Sequence, residues 1–238
     1  MSIITAFDYY FEMILADSEE LKQEVYKLRH QVYCQEKHFI TPRADGLEYD
    51  QYDERASHYL IKYRQTEEYM ATTRLILPDK TRPDILFPIE EYCQIDNDAL
   101  LKTINRQHLA ELSRFCISKD FRRRENERDQ LITNVVNENR KEYNSPNLTL
   151  ALLACAMRIS VTHDIHYWYA LMEPSLKRIF ATLGVNFIQL GAITESPHYH
   201  GERAPYVIKL TDLLHDVTAK NSDYWNMLTD SGKYIIRT

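Results

Sequence analysis

Glycine is scarce in this chain, with five glycines among 238 residues. A backbone loop that cradles phosphate normally needs several glycines, so the sequence argues against a glycine-rich phosphate site of the usual form. Positive charge is not in excess either, because 29 lysines and arginines face 35 acidic residues and leave a formal net charge of −6. This balance argues against nucleic acid as the main partner.

Long apolar runs and paired cysteines are also missing. The longest apolar stretch, residues 148–161, is interrupted by Arg158 and is too short to cross a bilayer, so we expect no stable membrane insertion. The first residues show no basic segment followed by an apolar core, and we expect no signal peptide. The four cysteines form no C-x-x-C pair, which favours reduced thiols in a cytoplasmic protein over disulfides or zinc. They are Cys34, Cys93, Cys116 and Cys155.

The hydrophobic pattern predicts a mixed α/β chain with one connected core, and we expect a single domain over residues 1–238. The predicted strands are residues 10–16, 57–63, 69–77, 110–118, 167–172, 185–190 and 206–210. Asp17 and Glu20 have the spacing of a capping box that opens a first helix ending near Gln35. Further helices are predicted around residues 131–136, over 148–162 and over 175–183, with partly helical structure over 89–101. The predicted connections are residues 39–51, 78–88 and 199–205.

Three carboxylates crowd one short segment at the spacing E-x-D-x-x-D. They are Glu48, Asp50 and Asp53. Like charges this close raise each other's pKa unless cations balance them. Three arginines stand in otherwise apolar stretches, where charged side chains are rarely buried without a partner. They are Arg29, Arg74 and Arg114. The pattern predicts a buried network of acids and arginines of the kind that lines an active site.

Several short motifs carry a family resemblance. L-R-H-Q-V-Y at 28–33, E-x-D-x-x-D at 48–53, T-R-L-I-L-P at 73–78 and E-L-S-R-F at 111–115 follow one another in this order. With them the chain resembles the acyl-homoserine lactone (autoinducer) synthases. F-R-R-R at 121–124 and W-Y-A-L-M-E-P-S-L at 168–176 make it resemble more closely the N-acyl amino acid synthases and the PEP-CTERM/exosortase-associated acyltransferases. The resemblance covers residues 10–210.

The resemblance implies the fold of the GCN5-related N-acyltransferases (GNAT), a splayed mixed β-sheet flanked by helices. It places the acyl donor in the cleft where strands 110–118 and 167–172 part. The donor is acyl-acyl carrier protein or acyl-CoA, used as a co-substrate, and no permanently bound cofactor is expected. The implied donor-binding residues are Phe115, Ile117, Arg122, Arg123, Arg124 and Met172.

The arginine cluster at residues 122–124 bears on the choice of donor. No glycines follow it, so a backbone nest for pyrophosphate is not evident, which favours a carrier protein over CoA. A carrier protein is acidic, and a basic patch at the mouth of the cleft steers such a partner. The alternative is a solvated charged turn without a partner.

Amide formation needs a base for the incoming amine, and Glu111 is the candidate general base, directly or through a water. A regular strand places Ser113 on the same face as Glu111, where it orients the amine or the leaving thiol. The alternative for Glu111 is a simple ion pair with an arginine. Arg114 falls on the opposite face of a regular strand, which favours a structural role for it.

Asp50 and Asp53 are the candidates for binding the cationic amine, while Glu48 anchors Arg29 or Arg74. The alternative is a purely structural ion network that holds the acidic segment on the sheet. Arg29 or Arg74 also suits the carboxylate of an amino acid substrate, because arginine binds carboxylates in a bidentate manner.

The predicted function is transfer of a fatty acyl group to the amino group of an amino acid or similar small amine. The alternatives are an acyl-homoserine lactone synthase that uses S-adenosylmethionine, a non-catalytic module that binds acyl groups or carrier protein, and a CoA-dependent acetyltransferase. No metal site is expected. The closely spaced histidines, His163 with His166 and His198 with His200, lack the flanking pattern of common zinc sites.

Overall fold

The computed structural model describes residues 2–96, 98–119, 148–196 and 199–236. Eight strands occur in these residues, and all belong to one sheet. They are β1 (Phe11–Leu15), β2 (Ala56–Tyr63), β3 (Glu68–Ile76), β4 (Leu109–Ile117), β5 (Tyr167–Met172), β6 (Ile188–Gln189), β7 (Thr194–Ser196) and β8 (Tyr199–Lys209).

Helices flank the sheet. The α-helices are α1 (Ile3–Tyr10), α2 (Glu19–Arg29), α3 (Pro88–Tyr92), α4 (Asp98–Leu101), α5 (Leu148–His163), α6 (Pro174–Thr182), α7 (Leu210–Lys220) and α8 (Ser222–Thr229). A π-helix, His30–Glu36, extends α2, and two short 3₁₀-helices are formed by Gln51–Arg55 and Arg106–His108.

The strand order is β1-β2-β3-β4-β5-β8-β6, with β7 paired to β8. Neighbouring strands are antiparallel except β4 and β5, which are parallel. These two central strands pair only where Leu109–Glu111 lies beside Tyr167–Tyr169. Beyond Glu111 they part, which confirms the predicted mixed sheet with a cleft between these two strands.

The core has a layer on each face of the sheet. α5 is buried nearly all round, as its continuous apolar sequence predicts, and it packs with Ile61 and Leu75 in the largest apolar cluster. On the other face, Val25 and Leu28 of α2 pack against Leu60 of β2. Residues 60 and 61 therefore point to opposite faces, as adjacent strand residues do.

Some element predictions are wrong in detail. The side chain that caps α2 is that of Ser18, which accepts a hydrogen bond from the Leu21 amide, and not that of Asp17. Residues 199–205 belong to β8 rather than to a connection. Its residues 199–203 pair with β7 and are mostly polar, so they show no apolar alternation, whereas Ala204 and Pro205 already pair with β5. Helices α1, α7 and α8 were not predicted.

The predicted helix around residues 131–136 lies outside the described residues, as do Arg122, Arg123 and Arg124. All four cysteines are described, and all are free. Among the described helices, none is both long and apolar enough to cross a membrane.

Candidate active site

A bulge in β4 shapes the site. Between the pairs Thr72–Cys116 and Arg74–Ser113, β4 contains one residue more than β3. Arg114 lies within this bulge with φ +48°, a left-handed conformation that is unusual for arginine and that clusters at functional sites.

The bulge turns two consecutive side chains toward the acidic segment. The Nε of Arg74 donates to the Ser113 hydroxyl at 2.9 Å, and Arg114 donates to Glu48 and Asp50. The expectation that Arg114 faces away assumed a regular strand, and it is wrong because the extra residue breaks the alternation.

Glu48 and Asp53 form the buried interior of the predicted acid–arginine network. Arg29 is fully buried; its Nε donates to Glu48 and its two terminal nitrogens donate to Asp53 at 2.7 and 3.1 Å. Arg114 adds a hydrogen bond of 2.8 Å to Glu48, and Arg74 adds one of 2.9 Å to Asp53. Both acid side chains are only 5% exposed, and each of their oxygens accepts a hydrogen bond from an arginine.

Asp50 lies at the edge of the network and is 25% exposed. One of its oxygens accepts from Arg74 at 2.6 Å and the other from Arg114 at 2.9 Å. Its local position follows from the sequence, because Asp50 caps the 3₁₀-helix Gln51–Arg55 and Asp53 closes the capping box by accepting from the Asp50 amide. The D-x-x-D spacing thus builds the turn that presents the acids.

Charge balance keeps the interior acids ionised. Burial by itself would raise the pKa of Glu48, but the charges of Arg29 and Arg114 outweigh it and hold the pKa at about 2. At Asp53 burial is likewise outweighed, and Arg29 and Arg74 hold its pKa far below the usual range. Three arginines therefore neutralise three carboxylates in a closed ionic cluster.

These depressed pKa values predict acid lability. We expect the contribution of Glu48 to the free energy of unfolding to be constant from pH 7 to about 4.5 and then to fall by about 3 kcal/mol as the pH approaches 2. Stability falls because, between about pH 4.5 and 2, the Glu48 carboxyl binds a proton in the unfolded chain but stays ionised in the folded network. Urea unfolding between pH 5 and 3 measures this, and equal stability at pH 5 and pH 3 would contradict it.

His58 was not selected from the sequence, yet it borders the network. Its ring is completely buried, with Nε2 3.5 Å from an Asp53 oxygen, and neither ring nitrogen has a hydrogen-bond partner. Burial, aided by the charge of Arg29, lowers the pKa of His58 to about 3. The ring is therefore neutral at physiological pH and adds no further positive charge to the cluster.

Glu111 lies at the inner end of the cleft, in the last residue of β4 that pairs with β5. It is 2% exposed, and its carboxylate accepts a hydrogen bond of 2.9 Å from the Ile89 amide. Burial raises the pKa of Glu111 to about 7, against the lowering effects of that hydrogen bond and of Arg74. No described arginine is in salt-bridge contact with it, so the alternative of a simple ion pair is not what the structure shows.

The parted strands enclose a cavity of about 400 Å³. Glu111, Ser113, Arg74 and Arg114 line its polar part. The rest of the wall is largely apolar and comes from β4, β5 and α6: Leu112, Phe115, Ile117, Leu171, Met172, Leu176, Ile179 and Phe180. The predicted donor residues Phe115, Ile117 and Met172 are thus brought together in one wall.

Not every predicted site residue reaches the cavity. Arg29 and the three acids stand behind its wall and contact it through Arg74 and Arg114. Several lining residues were not predicted from the sequence: Tyr33, Lys37, Phe39, Tyr92, Glu173 and Arg203. Arg203 pairs with Glu173 at 3.0 Å and covers the ring of Phe39. Tyr33 and Glu173 fall within the quoted motifs 28–33 and 168–176 but had no assigned role. No motif marks the other four, because elements distant in sequence bring them together.

Comparison with solved structures finds the same architecture. The structure of FeeM, an N-acyl amino acid synthase from uncultured soil microbes, superposes with a TM-score of 0.61 at 11% identity, over 88% of this chain and 96% of that chain. The acyl-homoserine lactone synthase LasI gives a TM-score of 0.54 at 17% identity, over 83% and 90%. The CoA-dependent acyl-homoserine lactone synthase BjaI, with SAM and isopentyl-CoA, gives 0.52 at 18% identity, over 93% and 88%. At these identities the likeness establishes the fold.

A comparison with curated proteins found no match. Residues 28–129 match the family model described as an acetyltransferase (GNAT) domain. This segment contains the acid–arginine network, the bulge and Glu111. The match over this segment and the shared fold together support an acyltransferase enzyme with the GNAT fold.

Proposed function

We propose that the protein transfers a fatty acyl group from a thioester donor to the amino group of an amino acid or similar small amine. One observation carries the proposal: a buried carboxyl with a pKa of about 7, Glu111, closes the inner end of a cleft whose walls are otherwise largely apolar. A group of this pKa is matched to proton transfer near neutral pH, and the apolar wall suits an acyl chain.

In the proposed reaction the amine nitrogen attacks the thioester carbonyl carbon and the C–S bond breaks. Glu111 accepts the proton that the amine loses, directly or through a water, and the departing thiolate is reprotonated as the free thiol. Ser113, held by Arg74 at 2.9 Å, orients the amine or the thiol. The cleft holds the two reactants together, which lowers the barrier by about 7–11 kcal/mol when alignment is good.

Charge in the cavity favours an acceptor that carries a carboxylate. Among the described residues, four cationic side chains line it, against the two carboxyls of Glu111 and Glu173. The cations are Lys37, Arg74, Arg114 and Arg203. We assign the amine to Asp50, the most exposed of the three network acids, which lies outside the cavity lining and is reached past the side chains of Arg74 and Arg114, and the carboxylate to this cationic wall. Glu48, Asp53 and Arg29 hold the wall in place.

For the donor we propose acyl-acyl carrier protein, with acyl-CoA as the alternative. Both present the acyl group on a phosphopantetheine arm, whose phosphate also suits the cationic wall. Arg122, Arg123 and Arg124 are proposed to contact the acidic carrier. The proposal treats residues 1–238 as one catalytic domain that acts in the cytoplasm, in keeping with its four free cysteines.

Mass spectrometry tests the proposal. Lipid extracts of cells that express the chain are compared with extracts of cells that express Glu111→Gln, and new N-acyl amino acids are expected with the first alone. In vitro, the purified protein is given acyl carrier protein or acyl-CoA with either free amino acids or S-adenosylmethionine. If the acyl donor reacts with S-adenosylmethionine to give an acyl-homoserine lactone, and no product forms with free amino acids, autoinducer synthesis would replace the proposal. This is the activity named for the structurally similar LasI and BjaI.

The apolar wall predicts control of chain length. Leu176 of α6 lines the cavity, and Leu176→Trp is expected to exclude the end of a long acyl chain. Loss of two buried methylenes is worth about 1.6 kcal/mol, so kcat/KM for long-chain donors should fall about tenfold relative to a four-carbon donor. Ile188→Trp, at a half-exposed position of β6 outside the cavity, serves as the control. An unchanged ratio in Leu176→Trp would place the acyl chain elsewhere.

A further inference from the structure

A second cluster of polar side chains lies at the paired ends of β4 and β5, away from the open end of the cleft. His108 directly precedes β4 and His166 directly precedes β5, and the His166 amide donates to the His108 carbonyl at 2.7 Å. Asp164 stands in the turn between α5 and β5. The parallel pairing of the two strands thus brings together residues that are 56 and 58 positions apart in the chain.

The three side chains lie side by side. The rings of His108 and His166 are stacked, with centroids 4.5 Å apart and planes 12° from parallel. One Asp164 carboxylate oxygen lies 2.9 Å from His166 Nε2 and the other lies 3.1 Å from His108 Nδ1, and the same His108 nitrogen lies 2.7 Å from the Asp164 backbone carbonyl oxygen. One ligand atom from each residue can be chosen so that all lie within 4.8 Å of one another.

We propose that His108, Asp164 and His166 bind a divalent transition-metal ion, with Zn²⁺ as the ion that this donor set favours. Two imidazoles and one carboxylate are a typical ligand set for zinc, at bond lengths of about 2.0–2.2 Å. In a tetrahedral site such bonds place neighbouring ligand atoms about 3.3 Å apart. The two nitrogen–oxygen separations are near this spacing but involve different Asp164 oxygens, and the stacked rings turn on binding so that both direct a nitrogen at the ion. Solvent completes the coordination, since the Asp164 side is exposed.

The place of the site indicates a structural role. The ion joins the first residues of β4 and β5 at the one stretch where these strands pair, Leu109–Glu111 beside Tyr167–Tyr169. The cleft opens immediately beyond this stretch, so the ion fastens the closed end of the cleft that contains Glu111. It contributes to folding stability and takes no part in the chemistry.

The sequence expectation of no metal site considered only closely spaced histidines. His163 and His166 form an H-x-x-H pair, yet His163 does not belong to the cluster that the structure assembles. The ligand that completes the set is His108, from another part of the chain. The competing account is a hydrogen-bonded group in which Asp164 accepts from both histidines and binds no ion.

Zinc titration of the full chain, free of any histidine tag and treated with a chelator, decides between the two accounts. We expect one Zn²⁺ per chain by calorimetry, a visible absorption band when Co²⁺ is substituted, and a higher melting temperature with zinc than without. His166→Gln and Asp164→Asn are each expected to weaken zinc binding by at least about tenfold. Asparagine tolerates the left-handed backbone at residue 164, where φ is +57°, so the second variant keeps the turn.

His215→Gln is the matched control, because His215 also lies beside an aspartate, Asp216, at 3.3 Å on an exposed helix surface. This variant should bind zinc as the unmodified chain does. The proposal is overturned if the unmodified chain binds no zinc under these conditions. It is equally overturned if His166→Gln and Asp164→Asn, shown to be folded by circular dichroism, bind zinc with unchanged affinity.

Discussion

Glu111→Gln is expected to lower kcat/KM for N-acyl transfer by about 10²–10⁴-fold, the usual contribution of a positioned general base. Glutamine keeps an oxygen that can accept the hydrogen bond from the Ile89 amide, so the local structure is retained while the proton acceptor is lost. Steady-state kinetics with a thioester donor measure the effect. Glu54→Gln, the same change at an exposed position of the 3₁₀-helix, should leave the rate unaltered.

Glu111→Gln should raise the stability of the fold although it lowers activity. The pKa of Glu111 rises on folding from 4.5 to about 7, so the folded state holds this proton more tightly than the unfolded state does. The stabilising effect of the proton is complete below about pH 4.5 and is lost as the pH rises through 7. Above pH 7, Glu111→Gln removes a buried charge and is expected to be more stable than the unmodified chain by about 3 kcal/mol.

The pH dependence of the rate should have the same midpoint as that of stability. A general base works in its ionised form, so kcat/KM of the unmodified chain should rise with pH with a midpoint near 7. An inactive and more stable variant would show that Glu111 is kept for chemistry at a cost in stability. Full activity in Glu111→Gln would falsify the assignment of the base while leaving the acyltransferase fold untouched.

Asp53→Asn is expected to destabilise the fold by about 3–5 kcal/mol, because it removes one partner from a buried ion network. Arg29 and Arg74 would keep their charges with no carboxylate between them, and both arginines are almost completely buried. A loss of this size is a large fraction of the stability of an ordinary domain. Urea unfolding at pH 7 measures it.

Asp50→Asn provides the internal comparison. Asp50 binds Arg74 and Arg114 but is 25% exposed, so water compensates part of the lost charge and the destabilisation should be smaller. Asp50→Asn should lower the activity of the folded protein more than Asp53→Asn does, since Asp50 is the proposed contact of the amine. Equal losses of stability in both variants would contradict the division of the network into a buried interior and an accessible edge.

The acid–arginine network shows how far local sequence rules reach. The D-x-x-D spacing predicts a capped turn, and arginines within apolar stretches predict buried partners for its carboxylates. Both inferences hold, because a buried charge needs a counter-charge whatever the fold. Which arginine meets which acid depends on the register of β3 and β4, and local sequence does not specify it.

The bulge at Arg114 shows where the prediction of strand faces from sequence alternation fails. Alternation along 109–117 assigns Ser113 and Arg114 to opposite faces, and this holds only while each residue of β4 opposes one residue of β3. The extra residue is a property of the strand pair, so neither strand reveals it alone. Similarly, the pKa of Glu111 depends on burial beneath α3, which supplies the Ile89 amide from 22 residues away.

The sequence by itself determined the mixed α/β architecture, the two central strands and the acids and arginines of the buried network. Periodicity and charge pairing encode these features within short segments, where they can be read directly. Tertiary structure alone decided which side chains reach the cavity, which carboxyl titrates near pH 7 and that His108 meets Asp164 and His166. These properties arise from burial and from strand pairing between distant segments, whose energies depend on the assembled fold.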